Sequence, residues 1–272
     1  MSPAKAEQPG RAAPIGVFDS GIGGLTVVSA LRKVLPDETL FYLGDTARVP
    51  YGSKSPDVVR RYALNTTGFL VGQGVKAIVI ACNTATAHAL EAVRGTVAMP
   101  VVGVIEPGAH LAAQSSRSGR IGVIGTAGTI DSGSYQRAFA RLRPDSQVIA
   151  AACPLFVPLA EEGLFYHAAT RLLAHEYLDP LVAKNIDTLL LGCTHYPLLA
   201  SVIQQTVGTD IHVIDSATAV ADAVAALLNA KGLAAAGRGE PDRFFATDAG
   251  SKFERVGTAF LGSPVHLTHV DL

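Results

Sequence analysis

The chain has 272 residues, enough for about two domains at the usual 100–200 residues each, and its 49% hydrophobic and 17% charged content excludes disordered and fibrous classes. A formal net charge of −1, no tryptophan and 6% aromatics leave no electrostatic or stacking basis for a nucleic-acid or membrane partner. Three cysteines, Cys82, Cys153 and Cys193, are too few and too scattered for a disulfide framework or a zinc cluster, and free thiols point to a reducing, cytoplasmic compartment.

Residues 1–14 are polar and rich in Ala and Pro, and read as a flexible tail without the apolar core of a signal peptide. No run approaches the ~18 apolar residues of a membrane span. Ile15 to Asp19 is a short strand running into Ser20-Gly21-Ile22-Gly23-Gly24, and Leu25 to Val34 is a helix. Leu40 to Leu43 is the next strand, ending in Gly44-Asp45-Thr46, and a helix from Pro56 to Gln73 follows the Pro50-Tyr51-Gly52 loop. The strand Ala77 to Ala81 delivers Cys82, its helix runs from Thr84 to Arg94, and Pro100 to Val104 is another strand.

The rhythm then restarts. Arg120 to Ile124 is a strand leading into Gly125-Thr126-Ala127-Gly128-Thr129, with a helix over Ser134 to Arg141 and a strand over Val148 to Ala152. A helix from Ala168 to Lys184 precedes the strand Thr188 to Leu191, which carries Cys193. Ile211 to Ile214 is a strand, Ala217 to Asn229 a helix, and 232–239 a loop. The chain closes with a strand at Arg243 to Ala246, a helix over 251–261 and a strand near Val265 to Val270.

Alternating strands and helices with continuously apolar strands predict an α/β fold of two doubly wound, mostly parallel sheets, each covered on both faces. The first domain takes residues 15–107 and 216–272 and the second residues 108–215. Ala81-Cys82-Asn83-Thr84 is echoed by Gly192-Cys193-Thr194-His195, a divergent internal repeat. Because open parallel sheets bind ligands beyond the carboxyl ends of their strands, two such domains face each other across a cleft with one cysteine on each wall.

Each of the two cysteines stands at a strand–helix corner, where a helix N-terminus lowers a thiol's pKa from about 8.5. Paired thiols suit inversion of a carbon stereocentre. One removes a proton from one face and the other returns a proton to the opposite face, with no metal and no organic cofactor. The carbanion formed requires donors around the substrate carboxylate, for which Ser20 and its glycines, Asn83, Thr84, Thr126, Thr129 and Thr194 are candidates; Asp19 and Asp45, at strand ends, are candidate acceptors for an ammonium group. Cys153, between Ala152 and Pro154, reads as a small buried hydrophobe. The Ser20 to Gly24 loop lacks the Lys-Ser/Thr ending of a phosphate-binding loop and fits a carboxylate. The remaining histidines show no metal-ligand spacing.

Four segments, Gly16 to Val27 (GVFDSGIGGLTV), Gly44 to Gly52 (GDTARVPYG), Ala81 to Ala85 (ACNTA) and Leu191 to Leu198 (LGCTHYPL), resemble bacterial glutamate racemase, a member of the aspartate/glutamate racemase family, in residues, order and spacing. The likeness runs from Ile15 to Leu272; the N-terminal tail departs from it, and Thr86 varies a position often serine. It implies a cofactor-independent isomerase interconverting L- and D-glutamate, the D-isomer destined for peptidoglycan. Carried over by position, Cys82 deprotonates the D-isomer and Cys193 the L-isomer. Asp19, Ser20, Pro50, Tyr51, Gly52, Asn83, Thr84, Thr194 and His195 form the substrate pocket; Asp19 assists Cys82, and His195 with Glu161 or Glu162 assists Cys193. The resemblance further implies a homodimer that opens and closes its cleft, with regulation by a cell-wall precursor in some members and binding of DNA gyrase in others.

Three other readings share parts of this pattern. An aspartate or hydantoin racemase keeps the paired thiols and changes the side-chain pocket, although Pro50-Tyr51-Gly52 and Thr194-His195-Tyr196 resemble the glutamate enzymes. A thiol hydrolase pairing Cys82 with His195 leaves Cys193 idle, and a non-catalytic gyrase-binding protein needs neither thiol.

Overall fold

The computed structural model describes residues 9–248, 257–258, 261 and 264–272. The helix expected over 251–261 therefore lies outside the described residues, apart from three positions. Two parallel sheets organise the chain. The first contains β1 (Ile15–Asp19), β2 (Leu40–Gly44), β3 (Ala77–Ile80), β4 (Val101–Gly103), β9 (Arg243–Ala246) and β10 (Leu267–His269), in the order β10-β9-β2-β1-β3-β4. The second contains β5 (Arg120–Gly125), β6 (Gln147–Ala152), β7 (Thr188–Gly192) and β8 (His212–Asp215), in the order β6-β5-β7-β8.

Every paired strand in both sheets runs parallel to its neighbour. The continuous apolar runs have this cause, because helices cover both faces and alternate side chains enter two different cores. Ile15, Val17, Val79 and Ala81 pack with α1 (Leu25–Val34) and α10 (Ala217–Ala230). Phe18, Ile78 and Ile80 pack instead with α2 (Pro56–Gly72) and α3 (Asn83–Thr96). The second sheet divides likewise. Ile124, Leu189 and Leu191 face α7 (Phe156–Glu161), α8 (Ala168–Val182) and α9 (Ala200–Val207), while Ile121, Val123 and Leu190 face α4 (Ile105–Ser115) and α6 (Ser134–Leu142).

The echo between the two cysteine segments extends to topology. Numbered within each half, both sheets read 2-1-3-4 from the second strand outward. Cys82 follows the third strand of one half and Cys193 the third strand of the other. In this order the connections leave the first and third strands in opposite directions, opening a crevice beyond their carboxyl ends. Ser20 and Cys82 stand at the first crevice, and Thr126 and Cys193 at the second. The chain crosses between the sheets through α4 and returns through α10.

The helix α4 has no counterpart in the sequence reading, because Pro107 and Gly108 interrupt it. The structure tolerates both. Pro107 sits in the first turn, where its missing N–H costs nothing. At Gly108 a Cβ would come within 2.9 Å of Ser216 Cβ, so the glycine lets the two inter-sheet connections touch. Short helices α5 (Ala127–Asp131), α7 and α9 likewise escaped periodicity, being only a turn or two long.

Candidate active site

The two crevices meet around one small cavity. Ser20, Val49, Pro50, Tyr51, Gly52, Cys82, Asn83 and Thr84 line it from the first half, and Thr126, Val157, Gly192, Cys193, Thr194 and His195 from the second. Its volume is about 20 Å³, room for a single water. Most of the residues expected at the site are brought together here, with both thiols buried at 5% and 7% exposure. Val49, Val157 and Gly192 were not foreseen; they are apolar wall, with no chemical signature to mark them. Asp19 and Glu161 are not on the wall but contact wall residues from behind it, Thr194 and His195 respectively.

Cys82 caps α3. Its Sγ accepts the Ala85 N–H at 3.4 Å and lies 3.6 Å from Ser20 Oγ, which it faces across the β1/β3 crevice. A helix N-terminus by itself lowers a thiol's pKa, but at Cys82 opposing influences prevail. Burial comes first and the nearby Asp19 charge second; together they outweigh the Ala85 and Ser20 hydrogen bonds and hold the Cys82 thiol up to about 12. In this arrangement the surroundings of Cys82 favour the protonated thiol.

Cys193 lacks a helix start of its own. Thr194 and His195 lead into a 3₁₀ turn, Tyr196–Leu199, and α9 begins only at Ala200. A histidine takes the helix's place: His195 Nδ1 is 4.0 Å from Cys193 Sγ and 3.5 Å from Thr194 Oγ1, while Nε2 is 3.3 Å from Glu161 Oε1. Burial disfavours the imidazolium, yet the hydrogen bonds to Cys193 and Glu161, with the Cys193 and Asp19 charges, carry the His195 pKa up to about 10. Between the two acidic residues, Glu161 is the one against His195; Glu162, at the C-cap of α7, is exposed.

Asp19 is fully buried behind the thiols. Its Oδ2 accepts the N–H groups of Gly21 (3.1 Å) and Gly24 (3.0 Å), and its Oδ1 accepts the Thr194 hydroxyl at 3.4 Å across the two halves. Burial raises its pKa against the opposing influence of His195 and the loop N–H groups. The glycine loop permits this closeness. A Cβ on Gly23 would collide with Thr194 and come within 2.6 Å of His195 Nδ1, and one on Gly52 would stand 2.5 Å from Thr126 Cβ. Glycine at both positions lets one half's backbone lie against the other half's side chains.

Asp45 has a different place from the one its strand-end position indicated. It is fully buried and does not line the cavity. Its carboxylate accepts the Tyr51 hydroxyl at 2.5 Å and the Thr247 hydroxyl at 2.9 Å, with Arg48 at 3.5 Å. Asp45 thus fixes Tyr51, which reaches the wall. Thr84, Thr126 and Thr129 form a triangle of hydroxyls with edges of 2.9, 3.0 and 3.1 Å, and His88 Nε2 meets the Gly128 carbonyl at 2.8 Å. Both contacts join α3 to α5 across the halves.

A residue absent from the sequence reading is Tyr135, fully buried on α6, whose hydroxyl donates to Asn83 Oδ1 at 2.6 Å. The Asn83 amide nitrogen is buried without a hydrogen-bond partner among the described residues, an open donor on the wall. No sequence signal marks Tyr135, since it reaches the site from a helix lying in another part of the chain. Cys153 is buried in the core beside α7, its thiol also pushed up to about 12 by burial and by Cys193. Among the described residues no three His, Cys, Asp or Glu side chains are placed to hold a metal ion, and no helix is long and apolar enough to cross a membrane.

The arrangement suits proton transfer at one carbon between two thiols, with hydroxyl, amide and backbone donors around it. The chain is also similar to several known proteins. Residues 25–224 match the family model described as Asp/Glu/Hydantoin racemase. A glutamate racemase from Syntrophus aciditrophicus is 51% identical over 250 residues, covering 92% of this chain and 93% of the relative. The crystal structure of a glutamate racemase isoform from Bacillus anthracis superposes with a TM-score of 0.93 at 41% identity, covering 96% of this chain and 98% of that one. A Francisella tularensis glutamate racemase, solved in complex with D-glutamate, gives a TM-score of 0.90 at 40% identity over 96% and 98% of the two chains. With the family model spanning most of its length and a relative 51% identical, this chain belongs to the Asp/Glu/hydantoin racemase family.

Proposed function

We propose that this protein is an isomerase, a cofactor-independent glutamate racemase that interconverts L- and D-glutamate through Cys82 and Cys193 and supplies D-glutamate for peptidoglycan. One observation carries the reading: two cysteines, from equivalent positions in two repeated halves, lie on one narrow cavity. Glutamate, rather than aspartate or a hydantoin, follows from the half-identical relative and the structural neighbours named above.

In the L-to-D direction the Cys193 thiolate takes the Cα proton and becomes a thiol. The electron pair delocalises into the substrate carboxylate, and the Cys82 thiol gives its proton to the opposite face, leaving a thiolate. The D-to-L direction exchanges the roles. Cys82, held protonated, stands ready as the acid of the L-to-D reaction. The Asn83 amide nitrogen, the Thr84 and Thr194 hydroxyls and the Ser20 loop are assigned to the carboxylates, where donors matter most as charge develops. Tyr51 and Gly52, with Pro50, form the wall around the side chain; Asp19 assists Cys82, and His195 with Glu161 assists Cys193.

The domain division at 107/108 and 215/216 belongs to this reading. A cavity of about 20 Å³ is far smaller than glutamate, so the halves part to admit substrate and close to exclude water. The thiol-hydrolase alternative loses ground, because the His195 ring nitrogens face Cys193 and Glu161 on the other wall from Cys82. The homodimer and a cytoplasmic location follow from the family resemblance and the three free thiols; sedimentation velocity tests the dimer.

The experiment is the circular dichroism of L-glutamate incubated with purified protein in D₂O, without pyridoxal phosphate or metal. Decay to zero with deuterium at Cα is the expected result. No decay, with a cell-wall precursor added and aspartate run in parallel, removes the reading.

A further inference from the structure

An open surface pocket of about 520 Å³ adjoins the narrow one that holds the thiols. Gly52 lines both. The partition between them is thin. The 3₁₀ turn Tyr51–Ser53 lies against the start of α5, and a Cβ on Gly128 would come within 3.0 Å of the Gly52 carbonyl and 3.3 Å of the Thr84 methyl. Two glycines therefore meet at the wall the two pockets share.

The larger cavity is chemically distinct from its neighbour. Lys54, just past the partition, and Arg137 on α6 bring two cations to its rim, against one carboxylate, Asp131. Arg137 is held in place by the Ser132 carbonyl at 2.8 Å and the Ser134 hydroxyl at 2.9 Å. The partially buried Lys54 makes no ion pair with a described residue. A concave site with an excess of one sign concentrates ligands of the other sign and raises their rate of entry.

We propose that this cavity is the antechamber through which a carboxylate substrate reaches the thiols, with Lys54 and Arg137 selecting anions and the Tyr51–Ser53 turn as the partition that yields. The identity of the carboxylate as glutamate rests on the function proposed above; the route does not. Entry here needs the halves to part at this contact, and the His88–Gly128 hydrogen bond, which joins them beside the turn, marks where they separate.

The test is the alkylation of Cys82 and Cys193 by iodoacetate and by iodoacetamide, an anionic and a neutral reagent of similar size, each scaled to its rate with free cysteine and resolved by peptide mass spectrometry. In the wild type the scaled iodoacetate rate exceeds that of iodoacetamide at low salt. Lys54→Glu lowers the ratio, and Lys54→Glu with Arg137→Glu lowers it about tenfold, while Asp131→Asn raises it. Addition of 0.5 M NaCl compresses all these differences by screening. A ratio unchanged by Lys54→Glu and by Asp131→Asn in folded protein overturns the route. Assayed with L-glutamate at low salt, the Lys54→Glu variants lose kcat/KM and keep kcat, whereas Asp131→Asn gains kcat/KM. Altered reagent ratios without glutamate turnover keep the route and discard the substrate; turnover with unaltered ratios discards the route and keeps the substrate.

Discussion

Tyr135 donates its hydroxyl hydrogen to Asn83 Oδ1 at 2.6 Å, and this single bond decides which end of the Asn83 amide faces the cavity. Because Tyr135 occupies the oxygen, the amide nitrogen is the end left for a ligand. The two residues come from opposite halves, so contact between the halves orients the donor.

Tyr135→Phe removes that constraint while preserving the ring's packing. KM for glutamate is expected to rise about tenfold, equivalent to about 1.4 kcal/mol, with kcat changed less and a melting temperature lower by a few degrees. A KM equal to wild type shows that Asn83 is oriented by something else.

Cys82→Ser is expected to lower racemisation by about 10²–10⁴-fold, the usual range for one acid–base group. Exchange of the L-isomer's Cα hydrogen with D₂O persists with retention through Cys193, and NMR distinguishes it from racemisation. Exchange in neither enantiomer, with the fold intact by circular dichroism, contradicts independent roles for the thiols.

The His195 charge makes stability depend on pH with a definite sign. Its pKa in the folded protein, about 10, lies above the ordinary value of 6.5, so the stabilisation from its protonated form is complete below about 6.5. It declines as pH rises and is lost through about 10. The melting-temperature difference between wild type and His195→Asn therefore shrinks steadily from pH 6.5 to 10. A difference independent of pH across that range excludes a charged His195.

Far from the site, Lys76 and Glu38 form a buried ion pair at 2.5 Å with side-chain exposures of 0% and 3%. Glu38 also accepts the Ala235 N–H at 2.8 Å, tying the base of the first sheet to the segment after α10. Lys76→Met strands the carboxylate and is expected to cost about 3–5 kcal/mol by urea denaturation. Adding Glu38→Leu restores part of that loss, since two apolar groups replace an ion pair more cheaply than one unpaired charge is buried.

The parallel sheets and the position of both cysteines were legible because strands buried on two faces must be apolar throughout, and Ile78-Val79-Ile80 and Leu189-Leu190-Leu191 are. The helix α4 was not, since Pro107 and Gly108 read as breakers until the fold sets the proline in the first turn and Ser216 beside the glycine. The glycines at 23 and 52 were visible as a loop but not as points where the other half approaches.

The sequence by itself determined which residues hold strand ends, which thiols follow them and that a helix start stands at Cys82. Only the tertiary structure decided what surrounds those thiols. The Cys82 thiol is pushed up although it caps a helix, because burial and the charge of Asp19, brought from another strand, outweigh the Ala85 N–H of its own segment. Cys193 receives His195 through a local turn, yet the charge on His195 depends on Glu161, 34 residues earlier in the chain. The physical reason is common to both cases. Hydrogen bonds at a helix start are made by neighbours in sequence, whereas desolvation and charge pairing depend on every segment that packs against the group.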